Sequence, residues 1–361
     1  MLHTNRELAG ELIDSIKDKF WDKGEDFLLE MYPPKPGVEK YSFLWGYGAL
    51  CTMLATYEKC TRDKSRLRFL QKALEKLELY KSESGGYVHY NSHPDCFGAG
   101  EPYYDDNAWV VLALLDVYEL KKTEKYLTRA KEVTEYLYSG WSESIGGIRW
   151  KEFDCDTSNT CSCGPTIVAS CKLYKFTGDE KYLRWAEKIY EWTREKLEDS
   201  DGTFFDKMFE TGETDKSKYT YNTGTMIWSG ALMHGITGKE SYLENARRSA
   251  RGAMDAFVRT EMHGKKILPP TPWFNVYLLQ GLLALNEYED VTDYISIIDN
   301  ILHGAAYSGR TGENFYYPEW NNGDYTSGKY YHQGLDNIGT AECFSLLIPY
   351  EDKKRAARNS A

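Results

Sequence analysis

Two adjacent carboxylates, Asp105 and Asp106, stand in the run Tyr103-Tyr-Asp-Asp-Asn-Ala-Trp109, with aromatic residues on both sides and an apolar stretch behind. An acidic pair in such surroundings repels itself and loses hydration, so its placement needs a compensating use. A helix cap is the plainest use, because aspartate is a favoured N-cap and a helix N-terminus stabilises negative charge by roughly 0.3–1 kcal/mol. A cap employs only one carboxylate. Cleavage of a glycosidic bond employs two, in different roles across one sugar ring. Adjacent side chains at a helix start can hold their carboxyl groups about 5–6 Å apart, close to the separation of a retaining glycosidase. Asp105 and Asp106 are therefore the candidate catalytic residues, one attacking the anomeric carbon and the other holding a proton. The residue types do not assign which is which.

The composition fits a sugar ligand. Tyr 29, Trp 10 and Phe 14 make up 15% of the 361 residues, and many fall in polar connecting segments rather than apolar runs. Tyrosine and tryptophan pair an apolar face with a hydrogen-bonding tip, which suits the C–H faces of sugars. Trp45, Tyr103, Tyr104, Trp150, Tyr221 and Trp273, with the amides Asn159 and Asn222, are the candidate substrate contacts. A net charge of −11 argues against a nucleic-acid or anionic-membrane surface. No apolar run approaches the ~20 residues of a membrane span. The charged, amphipathic start lacks a signal-peptide apolar stretch, and the expectation is a soluble, cytoplasmic protein. Of the eight cysteines, Cys51, Cys60, Cys171 and Cys343 read as small buried hydrophobes. Cys155, Cys161 and Cys163 share what reads as one loop, without the paired spacing of a metal site, so neither a metal nor a cofactor is expected. The expected partner is an oligo- or polysaccharide, and nothing legible sets the oligomeric state.

An internal repeat defines the elements that position these residues. Lys-Thr-Glu-Lys-Tyr-Leu (122–127), Gly-Asp-Glu-Lys-Tyr-Leu (178–183) and Gly-Lys-Glu-Ser-Tyr-Leu (238–243) recur roughly 50–60 residues apart, one helical hairpin plus a long connection. Within each repeat the first helix is apolar almost all round and must be buried, whereas the second is amphipathic. The apolar type is predicted near 43–59, 107–120, 164–176, 223–236, 273–287 and 338–349. The amphipathic type is predicted near 5–21, 66–80, 124–138, 179–197, 240–257 and 290–302, with the N-terminal helix serving as outer partner of the last inner one. Six inner and six outer helices make an all-α fold, an (α/α)6 barrel formed by residues 1–361 as one domain. Its long connections (81–105, 139–162, 198–221, 258–272 and 303–336) gather over the N-terminal ends of the inner helices, where binding sites are usually built.

The chain resembles glycoside hydrolase family 76, the endo-α-1,6-mannanases. The likeness rests on Tyr103-Tyr-Asp-Asp-Asn-Ala-Trp109, Gly146-Gly-Ile-Arg-Trp150, the Tyr-Leu repeat at 177–183, Asp201-Gly-Thr-Phe-Phe-Asp206 and Tyr221-Asn-Thr-Gly-Thr-Met226, in order across 40–280. It implies an (α/α)6 barrel and retaining hydrolysis of α-1,6-mannosidic linkages without a metal, with Asp105 as nucleophile and Asp106 as general acid/base. Two stretches depart from the family pattern: 154–163, where more amides are expected, and 303–340, with Tyr316, Tyr317, Trp320 and Tyr325.

Two other readings fit the same toroid. One is a histidine-dependent sugar epimerase or an unsaturated-uronyl hydrolase, drawing on the seven histidines. The other is a glycan-binding relative without turnover, against which the intact acidic pair argues.

Overall fold

A computed structural model describes residues 3–98, 100–153, 155–320 and 330–360. Asp154 and Tyr325, singled out above, lie outside them. The alternation read from the sequence is present as twelve helices among the described residues. The apolar ones are α2 (Leu44–Thr61), α4 (Tyr104–Lys121), α6 (Thr160–Thr177), α8 (Thr220–Thr237), α10 (Pro272–Leu285) and α12 (Gly334–Ser360). The amphipathic ones are α1 (Asn5–Lys19), α3 (Leu67–Leu77), α5 (Glu124–Ser139), α7 (Glu180–Leu197), α9 (Glu240–Phe257) and α11 (Thr292–Ser308). No helix among the described residues is long and apolar enough to cross a membrane.

The helices fall into two compact units. In one, α4, α6 and α8 lie side by side and are backed by α5, α7 and α9 respectively. The other brings α12 against α2, with α3 on α2 and α1 on α12. The Asn5 N–H donates to Glu351 Oε2 at 2.8 Å, so the N-terminal helix is the outer partner of the last apolar one, as the pattern required. The hairpin turns are tight because α2, α4, α6 and α8 each end in a left-handed residue, Arg62, Lys122, Gly178 and Gly238, whose N–H returns to the carbonyl four residues earlier.

The connections are not plain loops, as the sequence reading had them. Lys81–Ser84 and Tyr87–Tyr90 form a hairpin about Gly85-Gly86, both at positive φ (57° and 84°), as a two-residue type I′ turn requires. Thr157–Asn159, Phe205–Phe209 and Thr214–Lys218 form an antiparallel sheet that ties the connection before α6 to the one before α8. Strands of three to five residues are too short to display a two-residue period in the sequence.

The fourth side chain of each apolar helix fastens the connection that leads into it. The Tyr47 hydroxyl accepts the Leu28 N–H at 2.7 Å, Asn107 Oδ1 the Tyr90 N–H at 2.7 Å, and Cys163 Sγ the Ile148 N–H at 3.2 Å. Thr223 Oγ1 accepts the Phe204 N–H at 3.1 Å and Asn337 Oδ1 the Tyr316 N–H at 2.9 Å. In α10 the sense reverses, and Asn275 Nδ2 donates to the Pro269 carbonyl at 2.9 Å. All six side chains belong to residues no more than 1% exposed, so each bond stands in for a water that cannot reach. Asn107 does most, since its Nδ2 also donates to the carbonyls of Tyr90 (2.8 Å) and Tyr103 (2.7 Å). Asn107→Ala should cost on the order of 3 kcal/mol, because it strands buried backbone groups. Urea unfolding beside the half-buried surface control Gln71→Ala checks this, and equal midpoints for the two variants would refute the fastening.

Candidate active site

Helix α4 begins at Tyr104, three residues earlier than its apolar pattern suggested, and this moves both aspartates into its first turn. The N-cap is Tyr103, which makes no side-chain cap bond, so neither Asp105 nor Asp106 is the capping residue. Both are half-buried: protein surrounds them closely, yet each keeps some surface open to solvent.

The connection from α5 to α6 holds this turn in place. The Tyr104 N–H donates to the Trp150 carbonyl at 2.8 Å, and Tyr103 bridges to Lys151 in antiparallel fashion. Trp150 is aimed by the glycines before it. Gly146 and Gly147 have φ of 77° and 73°, and a Cβ on Gly147 would stand 2.3 Å from the Trp192 ring, so only glycine lets the chain turn over that ring. Trp150, 40% exposed, then donates its indole N–H to Asp105 Oδ2 at 3.1 Å and packs edge-on against Tyr103, with ring centroids 4.9 Å apart.

Asp105 gathers further donors. Its Oδ1 accepts the Asp106 N–H at 2.9 Å, and the Cys161 thiol in the first turn of α6 also draws its pKa down. Burial raises the Asp105 pKa, and these bonds pull against that rise by favouring the charged form. On Asp106 burial and the neighbouring negative charge both act upward, and its pKa lies well above the ordinary carboxylate range. The two environments differ in the sense that separates an ionised carboxylate from a protonated one.

Asp206, in the middle strand of the sheet, is a third acid of the site. Burial raises its pKa against the pull of Lys207, whose Nζ lies 4.0 Å away, and Asn222 Nδ2 approaches its Oδ1 at 3.4 Å. The Tyr221 phenol is held far above its usual pKa, chiefly by burial and further by the Asp105 and Asp206 carboxylates nearby. Behind it Trp109 lies 6.4 Å from Tyr221 and 4.2 Å from Tyr277, ring to ring.

The structure thus gathers Tyr103, Asp105, Asp106, Trp150, Tyr221 and Asn222 of the residues expected at the site. Asn159 is 4% exposed, and its Oδ1 accepts from Thr157 Oγ1 at 2.8 Å beneath the sheet. Tyr104 is 3% exposed and stacks on Tyr136 at 4.7 Å. Trp273 is 2% exposed and packs edge-on against the half-buried Trp45 at 6.0 Å. Both sit in helix-opening turns, where a first-turn side chain can point back into the packing as readily as outward.

Asp206, Cys161 and Trp109 were not singled out as site residues. Asp206 lay inside a quoted motif, where an acid beside two phenylalanines and a methionine was the available signal. Cys161 and Cys163 were placed in a loop, whereas α6 starts at Thr160 and takes in both. Pro165 misleads there, since proline favours a helix's first turn and draws the apparent start towards 164. His89, a candidate for the epimerase reading, is 2% exposed, bonded to Ser84 Oγ at 3.0 Å and tilted against Tyr136.

The family model for glycosyl hydrolase family 76 matches residues 8–282. The chain is 29% identical over 158 residues to the mannan endo-1,6-alpha-mannosidase DCW1 of Candida glabrata, a match covering 39% of this chain and only 35% of that protein. Among solved structures it is similar to a family 76 glycoside hydrolase (mannosidase) of Bacteroides thetaiotaomicron, with TM-score 0.87, 25% identity, and 97% of this chain and 99% of that one covered. It is also similar in fold to an inactive variant of an α-1,6-mannanase of Salegentibacter in complex with α-1,6-mannotriose, with TM-score 0.80, 23% identity, and coverage of 96% and 99%. The chain belongs to glycosyl hydrolase family 76. Its fold class is the (α/α)6 barrel, and its enzyme class is glycoside hydrolase.

The Asp106 environment predicts a pH-dependent gain in stability on neutralisation. A carboxyl whose folded pKa is raised loses stability as pH climbs from its unfolded value, near 3.8, through the folded one. Asp106→Asn should therefore match the parent near pH 4 and exceed it in Tm at pH 8, each tenfold shift in proton affinity corresponding to about 1.4 kcal/mol. Calorimetry at the two pH values checks this; a gap that does not change with pH would refute it.

Proposed function

We propose that this chain is a retaining glycoside hydrolase acting on α-1,6-mannosidic linkages, with Asp105 as nucleophile and Asp106 as general acid/base. The observation that carries the reading is the unequal environment of two adjacent acids. Asp105 is supplied with donors that favour its anion, while burial and the Asp105 charge keep the proton on Asp106. The Asp105 carboxylate attacks the anomeric carbon as the bond to the leaving oxygen breaks and Asp106 delivers its proton to that oxygen. Water then attacks the glycosyl-enzyme ester, Asp106 takes the water's proton, and the sugar leaves with its original anomeric configuration. The half-exposed ring of Trp150, with Tyr103 packed edge-on beside it, offers apolar faces to the sugars that flank the scissile bond.

The linkage is supported by the relatives. One is a mannan endo-1,6-alpha-mannosidase, and the Salegentibacter α-1,6-mannanase holding α-1,6-mannotriose is an inactive variant with asparagine in place of two adjacent aspartates. The family match at 8–282 takes in helices of both compact units, which supports one catalytic domain.

The test is hydrolysis of α-1,6-linked mannooligosaccharides followed through the anomeric proton by NMR. The α-anomer should appear first, Asp105→Asn should abolish turnover, and Asp106→Asn should reduce it by about 10²–10⁴-fold. Initial release of the β-anomer, or variants as active as the parent, would refute the assignment.

A further inference from the structure

We infer that Trp150 is a positioning residue for Asp105 through its ring N–H, a task separate from offering its ring face to a sugar, and that Trp192 on α7 aims it. The inference rests on the role proposed for Asp105. Trp150 donates its indole N–H to Asp105 Oδ2 at 3.1 Å, while Oδ1 accepts the Asp106 N–H at 2.9 Å. The second bond ties the carboxylate to its own helical turn. The first comes from another element, so the two together fix the plane of the carboxylate and the direction of its remaining lone pairs. The ring that carries this N–H is 40% exposed, so water competes for the bond in the free protein. A sugar laid on the ring face excludes that water, and a hydrogen bond to a charged acceptor strengthens as the local dielectric falls. Substrate binding thereby tightens the hold on the carboxylate that is to attack it.

A bond open to water orients a carboxylate only if its donor is held in place beforehand, and the connection supplies that hold. The Trp150 carbonyl accepts the Tyr104 N–H at 2.8 Å, and the Tyr103 ring packs edge-on at 4.9 Å. One residue earlier, the Arg149 N–H donates to the Gly140 carbonyl at 2.9 Å. Trp192 sets the turn before that. Its indole N–H donates to the Ile145 carbonyl at 2.7 Å, and a Cβ on Gly146 or Gly147 would stand 2.4 or 2.3 Å from its ring. Ser158 Oγ closes the turn by donating to the Gly146 carbonyl at 2.7 Å. Trp192 is 9% exposed and belongs to a helix that backs α6, so its route to the acids is this turn. The titratable groups that bear on Asp105 are Asp106 from its own helix, Tyr103 from that helix's N-cap, Cys161 from α6 and Tyr221 from α8. Asp206 bears on the last two from the sheet. None of these groups changes when an indole N–H is removed.

The experiment compares the parent with Trp150→Phe, which keeps an aromatic face without the N–H, and Trp150→Ala, which keeps neither. Trp192→Phe removes only the bond to Ile145. Two quantities are read: kcat and KM on α-1,6-linked mannooligosaccharides across pH, and the nitrogen-15 indole resonances of the labelled full chain. Trp150→Phe should lower kcat about tenfold, the scale of one hydrogen bond to a charged group, and leave KM near the parent value. Its acidic limb should move up by about half a pH unit, because the Asp105 anion has lost a donor. Trp150→Ala should add a rise in KM, and Trp192→Phe should follow Trp150→Phe with a smaller displacement. In the parent the Trp150 indole resonance should titrate with Asp105, and in Asp105→Asn it should stay flat. A Trp150→Phe enzyme with the parent's kcat, or an indole resonance indifferent to Asp105, would overturn the inference. An unmoved Trp150 resonance in Trp192→Phe would overturn the part given to Trp192. A parent that hydrolyses nothing would refute the mannanase reading instead, and the indole titration would still decide whether Trp150 holds Asp105.

Discussion

A buried backbone N–H that must be paired is the constraint on which this molecule's working end depends. Each apolar helix begins where a long connection runs in beneath the surface, and there water cannot satisfy the main chain. Five of the six helices answer with an acceptor at their fourth position, provided by four different residue types: Tyr47, Asn107, Cys163, Thr223 and Asn337. The sixth, at Asn275, uses a donor on a carbonyl. What recurs is therefore the geometry rather than the residue. In α4 the fastening stands one residue after Asp106, so the bond that anchors the connection also fixes the acids' helical turn.

On that anchored turn, electrostatics separates two chemically identical side chains. The Asp106 N–H and the Trp150 indole N–H converge on Asp105 and offset part of the effect of its burial, whereas burial and the Asp105 charge act together on Asp106. Concentrating donors on one acid leaves the other to its neighbour's repulsion, which pushes the proton affinity of the second upward. The Trp150 donor comes from a connection turned over Trp192 by two glycines. The sheet of Thr157–Asn159, Phe205–Phe209 and Thr214–Lys218 ties the connections before α6 and α8 together and carries Asp206 among the same residues. Structures of this kind put stability at risk for chemistry, since the repelling pair is retained where neutral side chains would be more stable.

Much of this was legible in the chain, and the misses have common causes. The twelve helices follow from periodicity, and the acid pair at the end of a connection follows from its motif. Helix starts shifted by three or four residues at α4 and α6, because the first turn lies in polar sequence that carries no apolar period. That shift moved Asp105 and Asp106 out of the cap and Cys161 and Cys163 out of the loop. Tyr104 and Trp273 lie buried among other rings, which the sequence does not show because an aromatic residue in an opening turn has the same signature whether it faces outward or into the core.

By itself the sequence determined the alternation of buried and amphipathic helices, the family and the pair of aspartates, since each is a property of residues close together along the chain. Only the tertiary structure decided that the two aspartates meet unequal surroundings, that an indole N–H attends the first, and that Asp206 shares their neighbourhood. Those outcomes depend on residues 45 to 116 positions apart, Trp150 and Tyr221 measured from Asp105, brought within hydrogen-bond reach or into shared low-dielectric surroundings. Proton affinity is set by that assembled environment, and no stretch of sequence contains it.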